Sequence, residues 1–296
     1  MSSAIELVAA TEFSLEELAE AYNETRIDYI IPMPMTVERL QEYVRVYDID
    51  LSYSCVAVHE DNILGIGMLG VRGSRGWITR LGVLPSGRRQ GVGNRIMSLL
   101  LDAAHECGLS EVWLEVIKGN NPAHQLFTSL DFRETRALIV ARRPPVFREL
   151  APGEHASRPR VRSVRTLDHD ATLRLLSGRQ DEPNWLNQNE SLQKIAGLSS
   201  LVVETTDEGQ GWVTFQVSLL RLTKIVVNVL SGEPAAVTEA LLHTLHEFFP
   251  TQDAIAENVP AAAPIWPGFQ RVGYFSAFHR IEMVKRKPDK SEQFHE

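Results

Sequence analysis

The sequence predicts an α/β (α+β) chain built from two tandem copies of one fold, each a mixed, largely antiparallel sheet flanked by helices. Strand-like and helix-like hydrophobic periods alternate from Ile5 to Ala141. Three consecutive strand-like runs are joined by short turns, which makes an antiparallel meander, and a glycine turn and an amphipathic helix follow. The same order of elements then returns at an offset of about half of the 296-residue chain.

The first copy is expected over residues 1–143. Ile5 to Ala9 is a short apolar strand. Ser14 and Glu17 form a capping-box pattern before a helix with Leu15, Leu18, Ala19 and Tyr22 on one side. Thr36 caps a second helix ending near Tyr47. Ser54–His59, Ile63–Val71 and Gly76–Leu84 are the meander strands, with turns at Glu60-Asp61-Asn62 and Arg72-Gly73-Ser74-Arg75. Val92, Ile96, Leu99, Leu100, Ala103, Ala104 and Cys107 recur at helical spacing, and Gly108 ends that helix. Glu111–Ile117 is the next strand. Asn121 caps a further helix with Pro122 at its first position, and Thr135–Ala141 closes the half as its last strand.

Residues 144–159 read PPVFRELAPGEHASRP, with four prolines, a glycine and no period, and are expected to be a linker. The second copy is expected over 160–287, followed by a polar tail at 288–296. Its elements are a strand at Val161–Val164, helices at Asp168–Leu176 and Glu190–Ala196, and strands at Leu201–Glu204, Gly211–Ser218 and Lys224–Leu230. A helix at Pro234–Phe249, a strand at Ala254–Asn258, a short helix near Ile265 and a strand at His279–Val284 complete it. Trp185, Trp212 and Trp266 all fall in this half and read as core or interface aromatics.

Composition bounds the function. Hydrophobic residues are 44 % and charged residues 23 %, a globular balance that argues against disorder. A formal net charge of -8 argues against a chain built to hold nucleic acid; it fits a cationic acceptor and plain solubility equally. Cys55 and Cys107 both lie on apolar faces and read as buried reduced thiols. No four ligands stand at metal-binding spacing, so no metal is expected. The N-terminus lacks a basic n-region and a long apolar h-region, and no apolar run approaches the ~20 residues that span a bilayer. A cytoplasmic protein with no membrane partner is the expectation.

The stretch with most chemistry is Leu81 to Gly93, LGVLPSGRRQGVG. A strand runs into a basic, glycine-containing turn that opens a helix. Backbone N–H groups from Arg89 to Asn94 converge there, Arg88 and Arg89 add charge, and Gly91 and Gly93 let the backbone approach an anion. Val83-Leu84-Pro85 followed by Arg88-Arg89-Gln90-Gly91-Val92-Gly93 reads V-x-P and then [Q/R]-x-x-G-x-[G/A]. Downstream, Asn120, Ala123, Leu126, Phe127, Asp131 and Phe132 stand at the spacing N-x-x-A-x-x-L-Y-x-x-x-G-F.

With this element order and both segments, residues 1–143 resemble the GNAT superfamily of acyl-CoA N-acyltransferases. The resemblance implies acetyl-CoA as co-substrate, with its pyrophosphate on Arg88, Arg89, Gln90, Gly91, Val92, Gly93 and Asn94. It implies that Leu81, Gly82 and Val83 pair with the pantetheine arm, that the Val83 N–H faces the thioester carbonyl, and that Asn120 and Phe127 lie on the cofactor arm. Gly82 is expected to mark a bulge. Many relatives use a tyrosine acid where this chain has Phe127. Many carry a carboxylate base on the strand that here reads Trp77-Ile78-Thr79-Arg80. Neither role is assignable by resemblance, and Glu24, Asp28, Tyr29 and Glu115 are the candidates outside the motifs. The second half resembles the same fold without its signature. Ser231-Gly232-Glu233-Pro234 has no arginine, and its acidic residue would repel a pyrophosphate. The layout is similar to that of other two-copy members. The implied activity is direct acetyl transfer to a primary amine on a small molecule or peptide. A CoA-binding sensor or interaction module with little turnover is the rival reading. The acceptor and the oligomeric state are left open.

Overall fold

The computed structural model describes residues 4–60, 62–145, 161–179 and 181–287. Asp61 of the first predicted turn, residues 146–159 of the expected linker and the 288–296 tail lie outside the described residues.

The chain folds as two compact units, one of residues 1–135 and 281–296, the other of residues 136–280. In the first unit, strand β1 (Glu6–Ala9) is followed by helices α1 (Leu15–Glu24) and α2 (Val37–Val46). The Ser14 hydroxyl accepts from the Glu17 N–H while the Glu17 carboxylate accepts from the Ser14 N–H, so the capping box is complete. Thr36 accepts from the Arg39 N–H and starts α2. Strands β2 (Ile49–His59), β3 (Asn62–Arg72) and β4 (Arg75–Val83) form the antiparallel meander. Helix α3 (Val92–Glu106), strand β5 (Glu111–Ile117) and helix α4 (Asn121–Ser129) follow. The cap of α4 is Asn120 rather than Asn121, because its side-chain oxygen accepts from the Ala123 N–H; Pro122 stands at the second helical position. Ile96 and Leu100 of the expected stripe are fully buried against Leu69, Ile78 and Leu114 of the sheet, as is Met97, which the stripe did not include, whereas Leu99, which it did, is 38 % exposed.

The second unit repeats the order. Strand β7 (Val161–Leu167), helix α5 (His169–Ser177), the short α6 (Asn189–Leu192) and strands β8 (Ser199–Thr205), β9 (Gln210–Val217) and β10 (Arg221–Ser231) come first. Helix α7 (Pro234–Phe248), strand β11 (Asp253–Pro260) and helix α8 (Trp266–Arg271) complete it. The predicted 190–196 helix is a single turn. The repeat extends to local turns. Asp131, with φ 65°, precedes Phe132, whose N–H reaches the Phe127 carbonyl at 3.1 Å; Gly273, with φ 91°, precedes Tyr274, whose N–H reaches the Phe269 carbonyl at 3.1 Å. Trp185 and Trp212 are core residues, and Trp266 stacks on Phe269 with centroids 6.0 Å apart.

The last strand of each half goes to the other unit. Strand β6 (Arg133–Arg143) pairs antiparallel with β11, from Ala254 opposite Arg143 to Pro260 opposite Leu138, and sets Ile139 and Ala141 in the second unit's core. The end of strand β12 (Phe275–Arg286) belongs to the first unit, where Met283 is buried in the core. There Lys285 donates to the Leu130 carbonyl at 2.7 Å and Arg286 to Glu111 at 2.8 Å. The compact units therefore differ from the linear division at residues 143 and 160. Within the first unit the strand order is β1-β2-β3-β4-β5-β12, and within the second it is β6-β11-β10-β9-β8-β7.

Candidate functional site

The site residues of the first unit gather where β4 ends and α3 begins. The β4–β5 ladder is parallel and covers only Arg75–Trp77 opposite Glu111–Trp113, although both strands run further. Beyond it, β4 is held from one side by β3. Gly82 stands opposite Ile66 and Val83 opposite Gly65, and the Leu84 N–H reaches the Leu64 carbonyl at 2.8 Å. Alternation along the strand then turns the N–H and C=O groups of Leu81 and Val83 away from β3, toward the splayed side.

A bulge sets this register. Between Thr79 and Gly82 the strand gains a residue relative to β3, and Arg80 takes φ 54°. The bulge is therefore carried by Arg80, not Gly82. Gly82 is required for another reason: a Cβ there would stand 2.2 Å from the Thr25 hydroxyl, which the end of α1 presses against the strand.

Helix α3 opens without a side-chain cap. Its N-cap is Gly91 at φ 77°, and no acidic residue lies in its first turn. Arg89 just before it has φ 61°. The N–H groups of the first turn thus keep the positive end of the helix open. Val92 contributes backbone only, its side chain being buried with Ile96 and Met97 in the core; Gly93 is half-buried and Asn94 exposed. Gln90 donates to the Ser86 carbonyl at 2.7 Å and braces the turn.

The two arginines separate. Arg88 forks onto Asp28 at 2.6 and 2.7 Å and donates to the Val83 carbonyl at 3.1 Å. Arg89 is exposed and makes no hydrogen bond or ion pair with the described residues. The Arg88 guanidinium holds the Asp28 carboxyl below its usual range, which makes Asp28 a poor proton acceptor at neutral pH.

Asn120 caps α4 and also donates to the Tyr29 hydroxyl at 3.2 Å, a juxtaposition across 91 positions. Arg26 lies over the Tyr29 ring, its Cζ 3.9 Å from the centroid, and donates to the Leu81 carbonyl at 3.0 Å. Arg26, Tyr22, Tyr43 and Thr79 were not singled out from the sequence as site residues. Arg80 donates to the Tyr22 hydroxyl at 2.9 Å and lies 4.0 Å over the Tyr43 ring, whose hydroxyl meets that of Thr79 at 2.6 Å. Burial pushes the Tyr43 phenol up. Only the tyrosine-rich stretch at residues 22–47 hinted at this cluster.

Phe127 is 5 % exposed, its ring set against Phe132 in the core. Glu24 is exposed and Glu115 is half-buried in β5. The Cys55 thiol is buried, which pushes its pKa up to about 12 and disfavours the thiolate, whereas Cys107, expected to be buried too, is only partly so. Among the described residues no group of three or more His, Cys, Asp or Glu side chains is placed to hold a metal ion. No helix of the described residues is long and apolar enough to cross a membrane.

The second unit keeps the strand geometry. Lys224 in β10 has φ 54°, with a register shift between Thr223 and Val226, and β10 pairs with β11 only at Arg221 and Leu222. Its helix start is different. The Glu233 carboxylate accepts from the Ala235 and Ala236 N–H groups of α7 at 3.0 and 2.6 Å.

Residues 15–132 match the family model described as Acetyltransferase (GNAT) family. The chain is similar to the tandem GNAT protein from the clavulanic acid biosynthesis pathway, at TM-score 0.68 and 12 % identity over 97 % of this chain and 100 % of that one. It is also similar to the GCN5-related N-acetyltransferase from Sphaerobacter thermophilus, at TM-score 0.67 and 15 % identity over 96 % of each chain. A third, from Anabaena variabilis, aligns at TM-score 0.60 and 12 % identity over 96 % of this chain and 73 % of that one. At these identities the likeness is one of fold. No curated protein matches the sequence.

Proposed function

We propose that this chain, whose residues 15–132 match the acetyltransferase (GNAT) family model and which shares the fold of a tandem GNAT protein over 97 % of its length, is an N-acetyltransferase that moves an acetyl group from acetyl-CoA to a primary amine by direct attack. The observation that carries the reading is the uncapped start of α3 beside the splayed edge of β4.

Each part of the co-substrate has a matching feature. The N–H groups from Arg89 to Asn94, with the Arg89 guanidinium, are the donors for the diphosphate. Arg88 joins them by leaving Asp28. That pair is about half exposed, with side chains 40 % and 53 % accessible. An ion pair so exposed is weakened by solvent screening, and a doubly charged diphosphate offers the guanidinium more. Pantetheine amides pair with the outward groups of Leu81 and Val83 in the manner of an added strand. One of those two N–H groups polarises the thioester carbonyl and stabilises the oxyanion.

The amine nitrogen attacks the carbonyl carbon. The C–N bond forms, the C–S bond breaks, the sulfur leaves as thiolate and takes up a proton, and the amine gives its proton to water. No acyl-enzyme is needed, in keeping with a protected Cys55. The second unit binds no acyl-CoA in this reading.

The test is acetyl-CoA with a panel of primary amines, following free thiol, together with calorimetric titration by acetyl-CoA alone. Thiol release with at least one amine, and one acetyl-CoA per chain, is the expected result. A rise in melting temperature without thiol release from any amine favours the sensor reading. Absence of binding removes both.

A further inference from the structure

Building on the acyl-transfer reading, we propose that the acceptor amine carries a carboxylate and that Arg26 binds it. Arg26 follows α1 and reaches the outward edge of β4, where one Nη donates to the Leu81 carbonyl at 3.0 Å. Its Nε is buried and has no hydrogen-bond partner. No carboxylate among the described residues pairs with it, whereas Arg88 nearby holds Asp28 in a two-pronged fork.

A guanidinium has five N–H donors in a planar fork. One backbone acceptor leaves this one under-satisfied in a place where desolvation makes unmet donors costly. Its other neighbours are rings, with Cζ 3.9 Å from the Tyr29 centroid and 5.1 Å from that of Tyr22. Aromatic faces hold a cation without neutralising it. Arg80 lies over the same Tyr22 ring, also at 5.1 Å, and adds positive potential. A planar two-oxygen anion is the chemical complement of such a fork.

Position gives the size of the acceptor. Leu81 and Val83 lie two strand positions apart, about 7 Å. An anion on Arg26 therefore lies within a few bonds of an amine attacking at that edge. Short amino acids fit this span. The chain's net charge of -8 disfavours anions at long range, so recognition is local to this pair of arginines.

The test uses amines in twin pairs: glycine with methylamine, β-alanine with ethylamine, and 4-aminobutyrate with propylamine. Thiol release from acetyl-CoA is followed for the wild-type protein and for Arg26→Gln. The carboxylated member of at least one pair is expected to have a kcat/KM at least about tenfold higher. Arg26→Gln is expected to raise the KM for that member at least about tenfold and erase the preference, with the KM for acetyl-CoA moving less than about threefold. Equal loss for both twins would mean that Arg26 only holds Leu81, and equal rates for both in the wild type would mean that no carboxylate is read; either overturns the proposal. If no amine turns over, the acyl-transfer reading fails by itself. Binding then decides the role of Arg26, through the melting-temperature shift given by the same amino acids with CoA present. A shift lost in Arg26→Gln supports it, and no shift overturns it.

Discussion

Helices α3 and α7 occupy the same place in the two units and begin in opposite ways. The start of α3 is a left-handed glycine with no capping side chain and no acid in its first turn. The start of α7 is Glu233, whose carboxylate already sits on two of the helix N–H groups, with Pro234 removing a third donor. One helix leaves its positive end for an outside anion; the other supplies the anion itself. The bulged strand beside each helix is alike in both units, down to a φ of 54° at Arg80 and at Lys224. The splayed, bulged strand recurs in both copies, and the residues at the helix start are what confine the proposed anion site to the first.

Three substitutions probe the contrast, in order of expected effect. Gly91→Glu places a carboxylate at the open end of α3, as Glu233 does at α7. Acetyl-CoA affinity, measured by calorimetry, is expected to fall at least about 1000-fold through repulsion and loss of the N–H cradle. Gly91→Ala controls for backbone strain at φ 77°, which costs about 1–2 kcal/mol of stability. Retained binding in Gly91→Glu would remove the cradle from the argument.

The last turns of the helices also differ. His105 of α3 is exposed, whereas His246 of α7 is buried against the Tyr274 hydroxyl at 2.9 Å. Burial first, and then the Arg143 charge, lower the His246 pKa from 6.5 to about 3. The folded state therefore refuses a proton that the unfolded state accepts. Above pH 6.5 the group adds no pH dependence; from 6.5 down to about 3 it removes stability as the pH falls. The slope is up to about 1.4 kcal/mol per pH unit. Urea melts at pH 7, 5.5 and 4.5 should show it, and His246→Gln should flatten it. An unchanged slope in the variant would assign the effect elsewhere.

The smallest effect belongs to Glu233→Ala. Loss of a cap costs about 1 kcal/mol, seen as a lower melting temperature. Acetyl-CoA stoichiometry and affinity should stay as they are in the wild type. Weakened binding in this variant would show that the second unit takes part in holding the co-substrate.

Much of this was legible in the sequence because it is local. The Ser14–Glu17 box, the Thr36 cap, the meander and the α3 helix each depend on residues a few positions apart, and each formed as read, although Met97 rather than Leu99 completes the buried face of α3. The glycine turn was legible for the same reason. What escaped is set by distance in sequence. Asp28 lies 60 positions from Arg88, and Tyr29 lies 91 from Asn120. Gly82 was read as a bulge because glycine in a strand signals one; the true cause, the approach of Thr25, comes from another element. Glu233 was read as repelling an anion, and its actual role as a cap adds that it occupies the anion's place. The apolar pattern marked Thr135–Ala141 and His279–Val284 as strands. It carries no information on which sheet receives the strand, so Ile139 and Met283 each stabilise the unit opposite to the half that encodes them.

That exchange has a consequence for how the chain is made. Folding during synthesis ordinarily proceeds from the N-terminus, each domain closing as it leaves the ribosome. Here the residues of the second unit, 136–280, are all translated before the segment from Ile281 onward that completes the first. The unit that begins the chain is the one that finishes last. Until then β5 waits for its partner with an open edge, the state in which strands most readily pair with the wrong chain. A stop codon between positions 281 and 283 would strip Met283 from the first core and leave residues 136–280 entire, so a late truncation would fall on the unit that begins the chain.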